Sequence, residues 1–175
     1  MRRKSTKARL LVAAGSCLLL AILFIFAANR LDWFGGGTAQ IEQLTSTDLS
    51  IITVDGIQLG AAIRDVDLSS YKPSDRFSAG NHKFRFDRLV LDVDDRDRIS
   101  YLFGFNDEVR IRIKDESAVT IKDITRLLGD QYVDQSQDRE QRLRKHVYYD
   151  RVNGRTAEFI YSADGQFVWL YLNQK

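Results

Sequence analysis

The sequence predicts an α+β protein: a single N-terminal transmembrane helix followed by one extracytoplasmic domain with mainly antiparallel sheet and short helices. Three observations predict it. Leu10 to Ala28, "LLVAAGSCLLLAILFIFAA", runs 19 residues without a charged side chain. From Ile51 onward, apolar and polar residues alternate in short runs rich in β-branched and aromatic types, the period of half-buried strands. Between the last of these runs stand Asn153-Gly154 and Asp164-Gly165. Such dipeptides accept the positive φ angles of tight hairpin turns.

Residues 1–9 form a basic tail, with Arg2, Arg3, Lys4, Lys7 and Arg9 and no acid. A helix over residues 10–28 would be about 28 Å long, near the hydrocarbon thickness of a bilayer. The lopsided flanking charge then places the tail in the cytoplasm and the C-terminal domain outside it, a single-pass signal-anchor in the cell membrane. A cleavable signal peptide competes, but Phe26 ahead of Ala28 breaks the small-residue pattern, and Ala39 lies far from the apolar run. Cys17 follows small residues, as a lipidated cysteine does. Eleven apolar residues come after it, however, where a polar tether would be expected. Cys17 is the chain's one cysteine, so the domain has no disulfide and relies on its apolar core.

Residues 29–50 read as a juxtamembrane linker, with Trp33 and Phe34 at the interface and Gly35 to Gly37 as a tether. Residues 51–175 form the α+β domain. "DGIQLGAAIRDVDLSSY" is short and weakly helical, and "KFRFDRLVLDV" and "RISYLFGF" follow as strands. In "EVRIRIK", Val109, Ile111 and Ile113 face one way and Arg110, Arg112 and Lys114 the other. "TIKDITRLLG" begins at a cap, Thr120, with Asp123 three residues on as in a capping box, and Gly129 closes it. Ile121, Ile124 and Leu128 mark its apolar side. Three strands follow, joined at the two Gly-containing turns.

The run Asp94 to Arg98 inside "LDVDDRDRISYLFG" tests for a metal loop. Counted from Asp92, a helix–loop–helix calcium site needs oxygens at positions 1, 3, 5 and 12 and Gly at 6. Asp92 and Asp94 fit. Arg96, Asp97 and Phe103 occupy the other three places, so the run reads as a hairpin turn.

The "IQLGAAIRDV" and "TIKDITRLLGDQY" segments, each ahead of antiparallel strands, resemble the repeated helix-then-sheet unit of the β-lactamase-inhibitor-protein-like fold. Small outer-membrane lipoproteins of that fold are similar in the same way. The resemblance covers roughly residues 51–172, and it implies a binding module that acts through its sheet surface.

No catalytic, cofactor-binding or metal-ligating set emerges. His82 and His146 are the only histidines and lie in different segments; "HExxH", "GxSxG" and paired Cys/His spacings are absent. Ser69 to Lys72 matches Ser-x-x-Lys, but lacks its companion elements. Five of the 26 Lys and Arg lie in the tail. That leaves 21 against 24 acids from residue 30 on, a net −3 that excludes a nucleic-acid role. The one candidate site is a basic surface patch of Arg85, Arg88, Arg110, Arg112 and Lys114, formed if their strands adjoin. The expected function is a membrane-anchored binding or interaction module of the bacterial cell envelope, without catalysis. Its partners would be the lipid bilayer through residues 10–28 and an envelope protein or anionic polymer. The alternative is a secreted or envelope enzyme or inhibitor whose site is not recognisable from sequence.

Overall fold

In the computed structural model, residues 45–75, 82–105 and 107–175 are described. They carry ten strands: β1 (Ile52–Val54), β2 (Phe84–Arg85), β3 (Leu89–Val93), β4 (Ile99–Phe105), β5 (Ile111–Ile113), β6 (Glu116–Ser117), β7 (Val133–Asp138), β8 (Leu143–Asp150), β9 (Arg155–Tyr161) and β10 (Phe167–Gln174). One α-helix, α1 (Ile121–Leu128), is present among them. All strand pairings are antiparallel, in a small sheet β1-β5-β6 and a seven-stranded sheet β2-β3-β4-β10-β9-β8-β7.

The fold class is therefore corrected from α+β to mainly antiparallel β. The expected helix in the first half is reduced to a three-residue 3-10 turn, Ile63–Asp65. Two glycines held at positive φ, Gly56 and Gly60, interrupt that segment, and its backbone is drawn away to the start of β4. Gly60 N–H donates to Ile99 O at 2.7 Å, Ile99 N–H to Ala61 O at 2.9 Å, and Ile63 N–H to Asp97 O at 2.9 Å. Backbone groups engaged across strands cannot also close helical turns.

The single-pass membrane localisation and its signal-anchor are likewise corrected. Among the described residues no helix is long and apolar enough to cross a membrane. Residues 10–28, on which that expectation rested, lie outside the described residues. The compact unit starts at Leu44, and residues 45–50, expected as linker, are tied into it. Thr47 N–H donates to Tyr149 O at 2.8 Å, and Leu49 N–H to the buried Asp150 carboxylate at 3.3 Å.

Where local chemistry is strong the expected elements form. Asp94 caps the β3–β4 hairpin, its Oδ1 accepting from Arg96 and Arg98 N–H at 2.9 Å each, so the acidic run is a turn. Thr120 and Asp123 complete the capping box of α1. The helix buries Ile121, Ile124 and Leu127, with Leu128 only half-buried. The Asn153-Gly154 turn widens to a four-residue loop, 151–154, because Asp150 Oδ1 accepts from Asn153 N–H at 3.0 Å and its Oδ2 from Asn153 Nδ2 at 2.7 Å.

One face of the large sheet packs on the small sheet and α1. Leu91, Leu102, Leu172, Ala157 and Tyr148 form one continuous row of that core face, in register across five strands. Gly104 is where the small sheet's entry segment comes closest. A Cβ built there would sit 2.8 Å from Val109 Cγ2 and 3.5 Å from Val54 Cγ1. Val109 is β-branched and stiff, so the clash cannot be relieved by a simple rotation. Gly104→Ala should destabilise the domain by about 1–3 kcal/mol, read as a lower urea midpoint at unchanged slope. An unchanged midpoint would show that the two sheets do not press together at this point.

Candidate functional site

The expected basic patch does not assemble. β2 and β5 belong to different sheets, so Arg85 and Arg112 are not on adjoining strands. Arg85 pairs in register with Val90, at the rim of the large sheet's outer face. Arg112 turns back on its own hairpin, donating from Nε to Asp115 O at 3.0 Å. Lys114 lies in that hairpin's turn, with Lys114 and Asp115 both at positive φ. Arg88 and Arg110 alone come together, in a cleft of about 520 Å³ around the Asp55-Gly56 turn.

Asp55 organises that cleft. Its Oδ1 accepts from Arg110 N–H at 2.7 Å, and its Oδ2 accepts from the Tyr71 hydroxyl at 2.9 Å. The Arg88 guanidinium lies over the Tyr71 ring, 4.8 Å from its centroid, with Nε 3.8 Å from Asp55 Oδ2. Burial and the Asp55 carboxylate push the Tyr71 phenol well above its ordinary value. Asp65, Asp67, Asp107 and Glu108 share the lining with the two arginines. A cleft of this balance is no anion trap.

The outer face of the seven-stranded sheet is the second feature, and residues of the sequence motifs reach it unnoticed. Register alignment places Asp92, Tyr101, Asn173, Thr156 and Tyr149 in one row across it. Val90, Phe103, Tyr171, Glu158, Val147 and Val133 form the next, then Phe105, Trp169, Ile160 and Lys145. Aromatic rings run on continuously through these rows. His82 stacks on Tyr101 at 4.9 Å, Tyr101 meets Tyr171 at 6.4 Å, and Tyr171 meets Phe103 at 5.1 Å. Phe103 is edge-on to Phe105 at 5.1 Å, and Phe105 to Trp169 at 6.2 Å. These separations are those of favourable ring pairs. Tyr101, Phe105, Trp169 and Tyr171 all remain half-exposed.

Two close polar pairs stand on this face. Lys145 Nζ lies 2.8 Å from Glu158 Oε2, and His82 Nδ1 lies 2.6 Å from Asp92 Oδ2. A hollow of about 360 Å³ opens between Tyr101, Tyr171, the Lys145–Glu158 pair and the edge-strand residue Gln137. In a flat sheet β4 and β7, four strands apart, would be separated by about 19 Å. Their side chains share one hollow because the sheet curls. Register shifts at Asp92/Val93, Ser136/Asp138 and Phe167/Trp169 are irregularities of the kind that add twist. Burial, followed by the charges of Tyr171, Asp92 and Glu158, raises the Tyr101 phenol, and burial with Glu158 raises that of Tyr171. Both stay protonated at neutral pH and can donate hydrogen bonds.

His146 is buried on the core side. Its ring stacks on Tyr132 at 3.6 Å. The Tyr161 hydroxyl lies 3.1 Å from Asp134 Oδ1 and 3.0 Å from His146 Nε2. A carboxylate only accepts, so Tyr161 donates to Asp134 and its oxygen accepts from His146 Nε2–H. Burial, the charge on Asp134 and that hydrogen bond hold the Tyr161 phenol up at about 12. Sequence reasoning missed this cluster because its members sit on β7, β8 and β9, with no local spacing to reveal them. Among the described residues no group of His, Cys, Asp and Glu could hold a metal ion.

Compared with known proteins, the chain matches no family model, no curated protein and no solved structure. The resemblance to the β-lactamase-inhibitor-protein-like fold stays a reading of the sequence alone.

Desolvation pushes the His146 imidazole down to about 4, with Asp134 opposing and Arg144 reinforcing the shift. An unfolded histidine titrates near 6.5. On acidification the unfolded chain therefore takes up this proton first, so stability is complete above pH ~6.5 and falls as pH drops toward ~4. The loss should be on the order of 3 kcal/mol. Urea midpoints measured across that window should fall more for wild type than for His146→Gln, which cannot titrate. Parallel curves for the two would mean that His146 is not held neutral by burial.

Proposed function

We propose that this chain is a binding module, not an enzyme, and that it meets its partner with the outer face of the seven-stranded sheet. The observation that carries the reading is the unbroken series of rings from His82 to Trp169 on the face turned away from the core. Aromatic side chains are large and rigid, and ordering them on contact costs little conformational entropy. Half-exposed rings in one patch are what a recognition surface needs, and a fold has little reason to keep them otherwise. Lys145 and Glu158 beside them are paired, so the reading favours a partner without strong net charge over the anionic polymer that the basic patch suggested. Of the expected basic patch only Arg88 and Arg110 share a surface, and there among acids, which weighs the same way.

A surface used for recognition is one the fold can do without. The variant Tyr101→Thr/Tyr171→Thr keeps strand-forming residues at both positions and removes the rings. Its loss of stability in urea should stay below about 2 kcal/mol, because ring pairs at half-exposed positions contribute modestly. Phe159→Ala, in the core, should lose about 3–5 kcal/mol. If the double tyrosine variant is destabilised as much as the core variant, the rings exist for the fold and the proposal fails.

A further inference from the structure

The hollow on the outer face has a chemistry of its own, and it narrows the class of ligand. We infer that it is a subsite for an uncharged saccharide, a reading that rests on the outer face being the working surface.

Two kinds of group meet there. The Tyr101 and Tyr171 rings offer apolar platforms, each half-exposed. Around them stand Thr156, Asn173 and Gln137, whose side chains take no hydrogen bond among the described residues. A hydroxyl and two primary amides supply donors and acceptors side by side. That is what a pyranose presents in mirror image: a C–H face that lies on an aromatic ring, and a rim of hydroxyls that each donate and accept. At about 360 Å³ the hollow falls at the small end of ligand sites, which span about 300–1,000 Å³. A short saccharide fits such a space.

Charge argues for neutrality. Glu158 and Lys145 are 2.8 Å apart, and no other formal charge lines the hollow. An anionic ligand would face Glu158 and a cationic one Lys145, each at the expense of the pair. A neutral polyol can use both, its hydroxyls donating to the carboxylate and accepting from the ammonium. A peptide strand is disfavoured for a different reason. The hollow is floored mainly by β10, β9 and β8, interior strands whose backbone groups face partners on both sides. Strand addition needs an open edge.

Binding of short neutral hexose and N-acetylhexosamine oligosaccharides to the full chain, followed by calorimetry and by saturation-transfer NMR, tests the inference. Saturable binding should appear for at least one of them. It should be insensitive to added salt, because no ion pair is made or broken. Asn173→Ala/Thr156→Ala, at an exposed and a half-exposed position, should weaken it about tenfold, roughly the loss of two net hydrogen bonds. Three results would overturn it: no saturable binding by folded wild-type protein, binding only of sulfated or uronic oligosaccharides with steep salt dependence, or affinity unchanged in the double variant. Any of these, with the Tyr101→Thr/Tyr171→Thr variant still stably folded, removes the saccharide and leaves the outer face as a binding surface. Loss of that variant's fold removes the surface itself.

Discussion

The pairing of β4 with β10 is the join on which the rest of this domain depends. β2, β3 and β4 form one meander, and β7, β8 and β9 form another; the last strand of the chain lies between them. Five residue pairs in register, from Trp169↔Phe105 to Asn173↔Tyr101, close the sheet. That closure sets Leu170 and Leu172 against the core and Trp169 and Tyr171 outward in the same stroke, since successive residues point to opposite faces. A slip of one residue would exchange the two sets. The bulge between Phe167 and Trp169 lets Phe167 join the core although its odd-numbered neighbours Trp169 and Tyr171 do not.

This join also explains which parts could be read from sequence. Features written within a few residues were legible: the Asp94 turn, the Thr120–Asp123 box, and most of the alternation of Ile99, Tyr101, Phe103 and Phe105 along β4, from which Ile99 departs into the core at a register shift. Long-range adjacency was not. "EVRIRIK" alternates as expected, with Val109, Ile111 and Ile113 buried, yet its strand pairs with β1 and β6 and never reaches Arg85. Trp169, two residues from the core residue Phe167, would share its face in a regular strand, and the bulge sends it to the other side. The expected first helix failed for a competing reason: its glycines and aspartates serve turns, and its carbonyls and amides are taken by β4.

Several charged side chains of the described residues stand in pairs. Arg126 meets Glu116 at 2.9 Å, Lys145 meets Glu158, and Arg144 makes a two-pronged contact with Asp134. Exposed pairs of this kind contribute only about 0–1 kcal/mol each, so they do not hold the domain together. Their effect is to remove bare charge from the sheet surfaces. The basic stretches that look like one device in one dimension are divided between two sheets in three, with Arg88 beside a carboxylate, that of Asp55.

What is left after that neutralisation has a direction. The core face is filled by fully buried aliphatic side chains and by Tyr148 and Phe159, whose rings meet edge to face at 5.8 Å. The outer face carries rings too; Phe103 is buried, while Tyr101, Phe105, Trp169 and Tyr171 keep part of their surface in water. Burying a ring fully is worth more than leaving it half-wet, and stability alone would favour small polar residues there. The two faces share the same strands and so experience the same backbone constraints. The difference between them is therefore one of side-chain choice, made position by position along β4 and β10. On the outer face Val90, Phe103, Val133, Val147 and Ile160 are buried as well, so the half-wet rings stand beside side chains that are already covered. Tyr101, Phe105, Trp169 and Tyr171 are the rings left half-wet, and they are the part of this face that the proposed binding role would use.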